Sequence, residues 1–424
     1  MKVPSMDSLK HEHLNTLTKG LPYDTEVTPA AALSRGWNLL NGDLTFPLMI
    51  LKESALAHNL QAMAEWCAEN KLLLAPHGKT TMCPQLYERQ FDHGAWAITV
   101  ANIAQAQVCD YFGVHRIVIA NQIAGAGNLR SLAKLLGESS DAELFCLVDS
   151  VEGVRHLAGG LAQYGAERIL NVFIEIGRTG WRTGVRSDEQ LLAVLQEVRR
   201  HEAQLQLSGI EAFEGSGANA AEVDEFAVRF KHAAQLVLEH WSGNDAPIVS
   251  IGGTAFLDRV LVIGRALQPT FRILVRSGCY VTHDHARYQV QHQQSIERVR
   301  GIAAMPEFKP ALELWSYVQS MPEQNLAFLT FGKRDAPFDL DLPLPLFALS
   351  PGQSVREARS LAGAQVLKLN DQHAYLQLTD DHHLHIGDLV CCGISHPCTA
   401  FDKWRVLPVV DDDYNVVDLY RTFF

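Results

Sequence analysis

Leu72-Leu73-Leu74-Ala75-Pro76-His77-Gly78-Lys79-Thr80-Thr81 is a short apolar run that stops at a proline and opens into a loop carrying one lysine. An apolar run of this length, bounded by turn residues, suits a strand buried on both faces of a parallel sheet. The theme recurs at Trp96–Val100, Ile117–Ala120, Leu144–Val148, Asn171–Ile176, Leu207–Phe213, Ile248–Ile251 and Arg272–Val275. Between these runs lie stretches of helix-forming composition with periodic Leu, Val, Ala or Phe, among them Ile103–Phe112, Val151–Tyr164, Gln190–Glu202 and Ala221–His240. Eight strand–helix units in succession predict an α/β fold, a (β/α)8 barrel, with a doubly wound open sheet as the competing arrangement.

Outside the barrel the pattern changes. Past about residue 290 short alternating runs stand at Ser295–Ile302, Gln365–Leu369, His373–Leu378, Gly387–Cys392 and Asn415–Tyr420, punctuated by proline and glycine. They predict a second, mostly antiparallel β domain. Phe46–Lys52 is also strand-like, and Glu53–Asn70 after it reads as a helix. The resulting division is 1–52 as an N-terminal segment joining the β domain, 53–288 as the barrel and 289–424 as the β domain. Residues 333–350, with Pro337, Pro343 and Pro345, read as a long loop.

Composition narrows the function. A chain of 424 residues with 47% hydrophobic content is long enough for two cores. A net charge of −12 without Lys/Arg clusters argues against nucleic acid as a partner, and no basic amphipathic run suggests a membrane surface. Met1–Asp7 lacks the apolar core of a secretory signal, and no apolar stretch reaches membrane-spanning length. The eight cysteines are scattered without disulfide-framework or CxxC spacing, so a cytoplasmic protein with reduced, buried thiols is expected.

Barrel enzymes gather reactive groups at the C-terminal ends of their strands. That rule selects Lys79, Gly177–Gly184 with Arg182, Phe213-Glu214-Gly215-Ser216-Gly217, Gly252-Gly253-Thr254 and Arg276-Ser277-Gly278. A desolvated lysine at a strand end offers an amine that can bond a carbonyl, including the aldehyde of pyridoxal phosphate. Taken alone, Lys79 also reads as a surface residue on a loop. Gly252-Gly253-Thr254 has the make-up of a phosphate cradle, two glycines for close N–H approach and a hydroxyl donor, although an ordinary βα turn has the same letters. Gly215-Ser216-Gly217 is a second loop of that kind. His396-Pro397-Cys398 places an imidazole and a thiol on one face of an extended segment, enough for two positions of an open metal site. The thiolate favours zinc, with another divalent ion such as Mn2+ as the alternative. His77, two residues before Lys79, suits packing or hydrogen bonding as well as proton transfer. His283 and His285 lie past the eighth strand, within reach of the rim, and His382, His383 and His385 read as solvated turn residues.

Together these residues resemble the D-serine dehydratase and D-threonine aldolase family, within the alanine-racemase-like, fold-type III pyridoxal phosphate enzymes. The resemblance rests on Pro76-His77-Gly78-Lys79-Thr80, Arg182-Thr183-Gly184-Val185, Gly252-Gly253-Thr254, Arg276-Ser277-Gly278-Cys279-Tyr280 and His396-Pro397-Cys398 with Phe401-Asp402-Lys403-Trp404. It implies that Lys79 is the Schiff-base lysine and that Arg182 meets the cofactor's phenolic oxygen. Gly252, Gly253 and Thr254 would bind phosphate, Tyr280 would fill a cofactor-side slot, and His396 and Cys398 would bind metal. It also implies a homodimer with active sites built from both subunits. His-x-Cys resembles the dehydratase branch, where the aldolase branch has His-x-Asp. The chain departs from the family at Thr81-Met82, Phe213 and Glu214, where His-Lys, Tyr and His are frequent. The expectation is a metal-dependent dehydratase turning a D-β-hydroxy amino acid, such as D-serine or D-threonine, into a 2-keto acid and ammonia. The alternatives are a D-threonine-type aldolase and a non-catalytic pyridoxal phosphate-binding protein.

Overall fold

The computed structural model describes residues 6–424 apart from 24, 138–141, 217–218 and 381–382, so the readings made on residues 1–5, on Gly217 and on His382 lie outside the described residues. Eight parallel strands, Leu72–Leu74, Ile98–Val100, Arg116–Ile119, Glu143–Val148, Leu170–Glu175, Leu205–Ala212, Ile248–Ile251 and Arg272–Val275, form one sheet. Each strand from the second on pairs with its neighbour in the chain, and the eighth pairs back to the first, with Leu274 opposite Leu73. The sheet closes through a bridge between His77 and Thr99, where the Thr99 amide donates to the Pro76 carbonyl at 2.9 Å. All eight expected runs are strands, and the open-sheet alternative is excluded by this closure.

A helix follows every strand: Pro84–Asp92, Ile103–Tyr111, Ala126–Leu135, Val151–Gln163, Asp188–Arg200, Ala220–Glu239, Leu257–Leu267 and Arg287–Arg298. Side-chain caps start several of them. Asn102 accepts from the Gln105 amide, Ser150 from Gly153, Ser187 from Gln190 and Asn219 from Glu222. The eighth helix corrects the strand expected at Ser295–Ile302, and the boundary drawn at 288/289 runs through it. Its fixing contact is electrostatic rather than apolar, which is why its period is weak in the sequence. Nε and Nη2 of Arg298 both donate, at 2.8 Å each, to the buried Asp258 of the seventh helix.

Alternation along the strands sorts the barrel interior into layers. Leu73, Ala75, Ala97, Val118, Phe145, Leu147, Phe173, Ile248 and Leu274 form an apolar plug, with the Phe145 and Phe173 rings stacked at 5.4 Å. Two residues further along five of these strands the interior turns polar: His77, Thr99, Glu175, Ser250 and Arg276, joined by Glu211, cap the plug. The polar layer is the floor of the rim described below.

The β domain is built around Leu312–Glu323, flanked by Leu48–Lys52 and Leu389–Gly393, all antiparallel. Leu48–Lys52 also runs parallel to Val406–Val410, which pairs with Val416–Arg421. The first strand-like segment therefore joins this domain as expected. The long loop at 333–350 is a loop only in part, because Leu344–Leu349 pairs with Leu389–Gly393. Pro345 fits there at a register irregularity, outside the two residues covered on the other side by Arg359–Ser360. Among the described residues no helix is long and apolar enough to cross a membrane.

Candidate active site at the barrel rim

Lys79 lies in a short 3-10 turn, Gly78–Thr80, directly beyond the first barrel strand. The turn is pinned on both sides of the lysine. Tyr87 donates its hydroxyl to the Gly78 carbonyl at 2.8 Å, and the Thr80 hydroxyl sits 3.1 Å from the Cys398 sulfur. Gly78 is required, because a Cβ there would meet Ile98 at 2.7 Å and the Tyr87 ring at 2.9 Å. The lysine itself is exposed, which corrects the expectation of a desolvated amine: the protein chain alone does not bury it. Beneath it, His77 is kept neutral, first by burial and then by the charges of Lys79, Arg276 and Arg182, and its buried Nδ1 has no hydrogen-bond partner.

Arg182 comes from the loop after the fifth strand. Arg186 ties that loop by donating to the Thr183 and Gly184 carbonyls at 2.8 and 2.9 Å and to the Arg182 carbonyl. Gly177 leaves room for the Arg186 guanidinium, which a Cβ would strike. The Arg182 guanidinium lies over the Phe213 ring, 4.4 Å from its centroid, and its Nε is 4.0 Å from the buried Glu175. Glu175 is held by Thr183 at 2.8 Å and Gln122 at 2.6 Å. Alongside, Arg276 pairs with Glu211 and donates to the Ala212 carbonyl at 3.1 Å. Burial dominates at Glu211 and lifts its carboxyl to about 7 despite the Arg276 charge. One Glu211 oxygen and the Arg276 Nε have no protein partner.

The Gly252-Gly253-Thr254 loop opens onto the same rim. Gly252 has φ +114°, a conformation that suits glycine, and a Cβ on Gly253 would lie 2.9 Å from the Phe213 ring. The Thr254 and Ser277 hydroxyls are 3.1 Å apart. Both backbone N–H groups point at one carboxylate: Gly252 donates to Glu214 Oε2 at 3.1 Å and Gly253 to Oε1 at 2.6 Å. The close-approach glycines and the Thr254 and Ser277 hydroxyls fit a group bearing a phosphate, with Glu214 seated on the two N–H donors in this structure.

His396 and Cys398 are not on an extended segment. His396 has φ +57° and Pro397–Thr399 is a 3-10 turn, so a tight turn brings imidazole and thiol together. The His396 Nδ1 lies 2.5 Å from Asp339 Oδ2, whose other oxygen accepts from the Thr399 hydroxyl at 2.7 Å. Asp339 thereby orients the ring and turns Nε2 away from itself, the arrangement in which a carboxylate orients a metal-binding imidazole. Cys398 is held well below the usual thiol range by hydrogen bonds from Cys279, His396 and Thr80, which outweigh its burial. The Cys279 sulfur is 3.5 Å away. Among the described residues no group of three or more His, Cys, Asp or Glu is arranged to hold a metal. The pair, an imidazole oriented by Asp339 beside a thiol biased to thiolate, has the chemistry to fit a divalent ion with open positions.

Two family models match the chain: "Alanine racemase, N-terminal domain" over residues 51–260 and "Putative serine dehydratase domain" over 311–410. The chain belongs to the fold-type III pyridoxal phosphate enzymes. A D-threonine aldolase from Arthrobacter sp. is 26% identical over 213 residues, covering 49% of this chain and 55% of the aldolase. A D-threo-3-hydroxyaspartate dehydratase from Delftia sp. (strain HT23) is 26% identical over 250 residues, covering 57% and 62%. The matches thus span little more than half of either relative. The crystal structure of D-threonine aldolase from Filomicrobium marinum shares the fold with a TM-score of 0.75 at 22% identity, covering 91% of this chain and 96% of that one. A variant of a D-threo-3-hydroxyaspartate dehydratase has been solved in a metal-free form.

The remaining expected residues are placed as follows. Tyr280 is buried, hydrogen-bonded to Gln90 and packed towards Phe308, so its contacts lie with the first barrel helix and the interdomain segment. His283 and His285 sit in the seam between the domains, both held neutral with pKa values pushed down to about 4 by burial. His383 and His385 are exposed, as expected of turn residues. The sequence reading missed Asp339 and also Asp284. One Asp284 oxygen accepts the Ala286, Tyr288 and Gln289 amides at the start of the eighth helix, and the other accepts the His396 amide at 3.2 Å. Asp284 thereby ties the last barrel unit to the His396 turn. An aspartate just before a helix is a legible N-terminal signal, but its second bond is not.

Proposed function

We propose that this chain is a pyridoxal phosphate-dependent lyase that dehydrates a D-β-hydroxy amino acid, with D-serine or D-threonine as representative substrates, and that it works with a divalent metal, zinc or an alternative such as Mn2+. The observation that carries the reading is the 3.1 Å contact between Thr80 and Cys398, which joins the Lys79 turn to the His396/Cys398 turn across two domains. When bound, pyridoxal phosphate supplies an electron sink for the α-carbon and a divalent ion supplies a Lewis acid for a departing hydroxyl. Lys79 would hold the cofactor aldehyde, and its amine, when free, would be the base that takes the α-proton. Arg182, supported by Phe213, serves the phenolic oxygen. Gly252, Gly253, Thr254 and Ser277 serve the phosphate. His396 and Cys398 would hold the metal, with Asp339 fixing the imidazole. Loss of water leaves an enamine that hydrolyses to the 2-keto acid and ammonia. A homodimer completes the proposal.

The second reading is cleavage to glycine and an aldehyde, favoured by the similarity to D-threonine aldolase; the His-x-Cys pair weighs towards dehydration. Incubation with D-serine, D-threonine and D-threo-3-hydroxyaspartate, with and without a chelator, separates them. Chelator-sensitive 2-keto acid and ammonia are the expected products. Glycine with an aldehyde moves the assignment to the aldolase, and binding without turnover of any D-amino acid moves it to a carrier.

A further inference from the structure

Glu214 occupies a position that the proposed function leaves unused. It begins a 3-10 turn, Glu214–Ser216, just past the sixth barrel strand, and its side chain is fully buried. Each of its oxygens accepts one of two successive backbone N–H groups, Gly252 at 3.1 Å and Gly253 at 2.6 Å. That is how a loop of this kind holds an external anion. The carboxylate is therefore seated as an internal anion in the cradle that would receive phosphate. Phe213 and Gly253 close the position from one side, since a Cβ at Gly253 would meet the Phe213 ring at 2.9 Å and Glu214 Oε1 at 3.4 Å.

We propose that Glu214 is the resident occupant of the Gly252-Gly253 loop and that a phosphate group binds there together with uptake of one proton by the Glu214 carboxylate. The inference rests on the reading of pyridoxal phosphate as cofactor. Two anions on one pair of N–H donors repel each other strongly at low local dielectric. The charged neighbours do not relieve this. Arg276, facing Glu214 from beyond the eighth strand, is already paired with Glu211, and Glu211 adds a like charge from the sixth. Thr254 and Ser277 contribute only hydroxyls. Burial already favours the neutral carboxyl, against the two glycine N–H bonds and Arg276. A protonated Glu214 changes from an acceptor to a donor and can give its O–H to a phosphate oxygen.

The test uses the full-length apoprotein, pyridoxal phosphate, and pyridoxal, which carries the aldehyde without the phosphate. Affinity is followed by absorbance and calorimetry from about pH 6 to about pH 9, and proton uptake by calorimetry in buffers of different ionisation enthalpy. The ligand's own titrations are common to both proteins compared, so the difference between them is the readout. The wild type is expected to take up about one more proton than Glu214→Gln on binding pyridoxal phosphate. Its affinity relative to the variant falls by up to about tenfold per pH unit above the carboxyl's pKa. Pyridoxal binds both proteins alike. Equal proton uptake and parallel pH profiles for pyridoxal phosphate overturn the proposal. If neither aldehyde binds the wild type, the cofactor reading fails, and inorganic phosphate carries the comparison: a difference of about one proton upholds the Glu214 role and no difference ends it. Should Glu214→Gln not fold, the wild type decides at about pH 8, where excess uptake near one for pyridoxal phosphate over pyridoxal supports the coupling and zero overturns it.

Discussion

Replacing Asp339 separates a metal-orienting carboxylate from an ordinary surface ion pair. Asp339 stands 2.5 Å from His396 Nδ1 and accepts from Thr399 at 2.7 Å, with 41% of its side chain exposed. Burial works against its charge, yet the bonds from Thr399 and His396 prevail and hold its carboxyl below the usual range. A partly exposed ion pair with no further role contributes about 0–1 kcal/mol to stability and nothing to metal binding. A carboxylate that fixes the tautomer and rotation of a ligating imidazole is worth about 10–100-fold in metal affinity, or about 1.4–2.7 kcal/mol at 1.36 kcal/mol per decade. Asp339→Asn keeps an acceptor for Nδ1–H and should fall near the tenfold end. Asp339→Ala frees the ring and should approach a hundredfold. Competition for zinc against a chromophoric chelator measures both, with thermal unfolding of the metal-free proteins as the control. Unchanged zinc affinity in Asp339→Ala, with unfolding shifted by no more than a surface pair allows, would refute the orienting role.

Lys79→Ala should remove the absorbance near about 420 nm that a lysine-bound pyridoxal cofactor gives, without lowering the melting temperature, because the exposed lysine packs against nothing the fold needs; retention of the band takes the residue out of its role. Phe213→Leu removes the ring under the Arg182 guanidinium, 4.4 Å away, a contact worth about 0.5–1 kcal/mol, so cofactor affinity measured by titration should weaken about two- to fivefold. Asp258→Asn should cost about 3 kcal/mol in urea unfolding at neutral pH, because the buried carboxylate carries both bonds from Arg298 and another from Arg259. Burial opposes the Asp258 charge but the Arg298 bonds prevail, so its folded pKa lies below the unfolded value of about 3.9. The stabilisation is then complete above that value and is lost as pH falls through the folded pKa, and the gap between wild type and variant should narrow there.

Fold and site differ in how far they can be read from sequence, and the difference has a physical origin. Strands buried on both faces advertise themselves as mostly apolar runs, so Ile248–Ile251 and Arg272–Val275 are legible to the residue. The eighth helix is not, because Arg298 and Asp258 fix it by charge and its apolar face is thin. The His396/Cys398 pair is legible as residue types, whereas the turn that joins them depends on Asp284 and Asp339, which are 112 and 57 residues away from His396. Glu175 and Glu211 lie inside the runs Asn171–Ile176 and Leu207–Phe213, read for their apolar residues. Strand alternation could have exposed them. Phe173, Ile248 and Leu274 lie in the interior plug, and the residues two further on, Glu175, Ser250 and Arg276, are the polar floor beneath the rim. Once one interior residue of a barrel strand is known, its i+2 neighbour towards the C-terminal end is also interior, and a charge there has no solvent to face. Such a charge must be met by another rim residue or by a ligand. Arg276 meets Glu211, and each still has a polar atom without a protein partner. The floor thus keeps unfilled hydrogen bonds beneath the rim that carries Lys79, and the interior periodicity of the barrel, rather than any single motif, marks where polar groups gather.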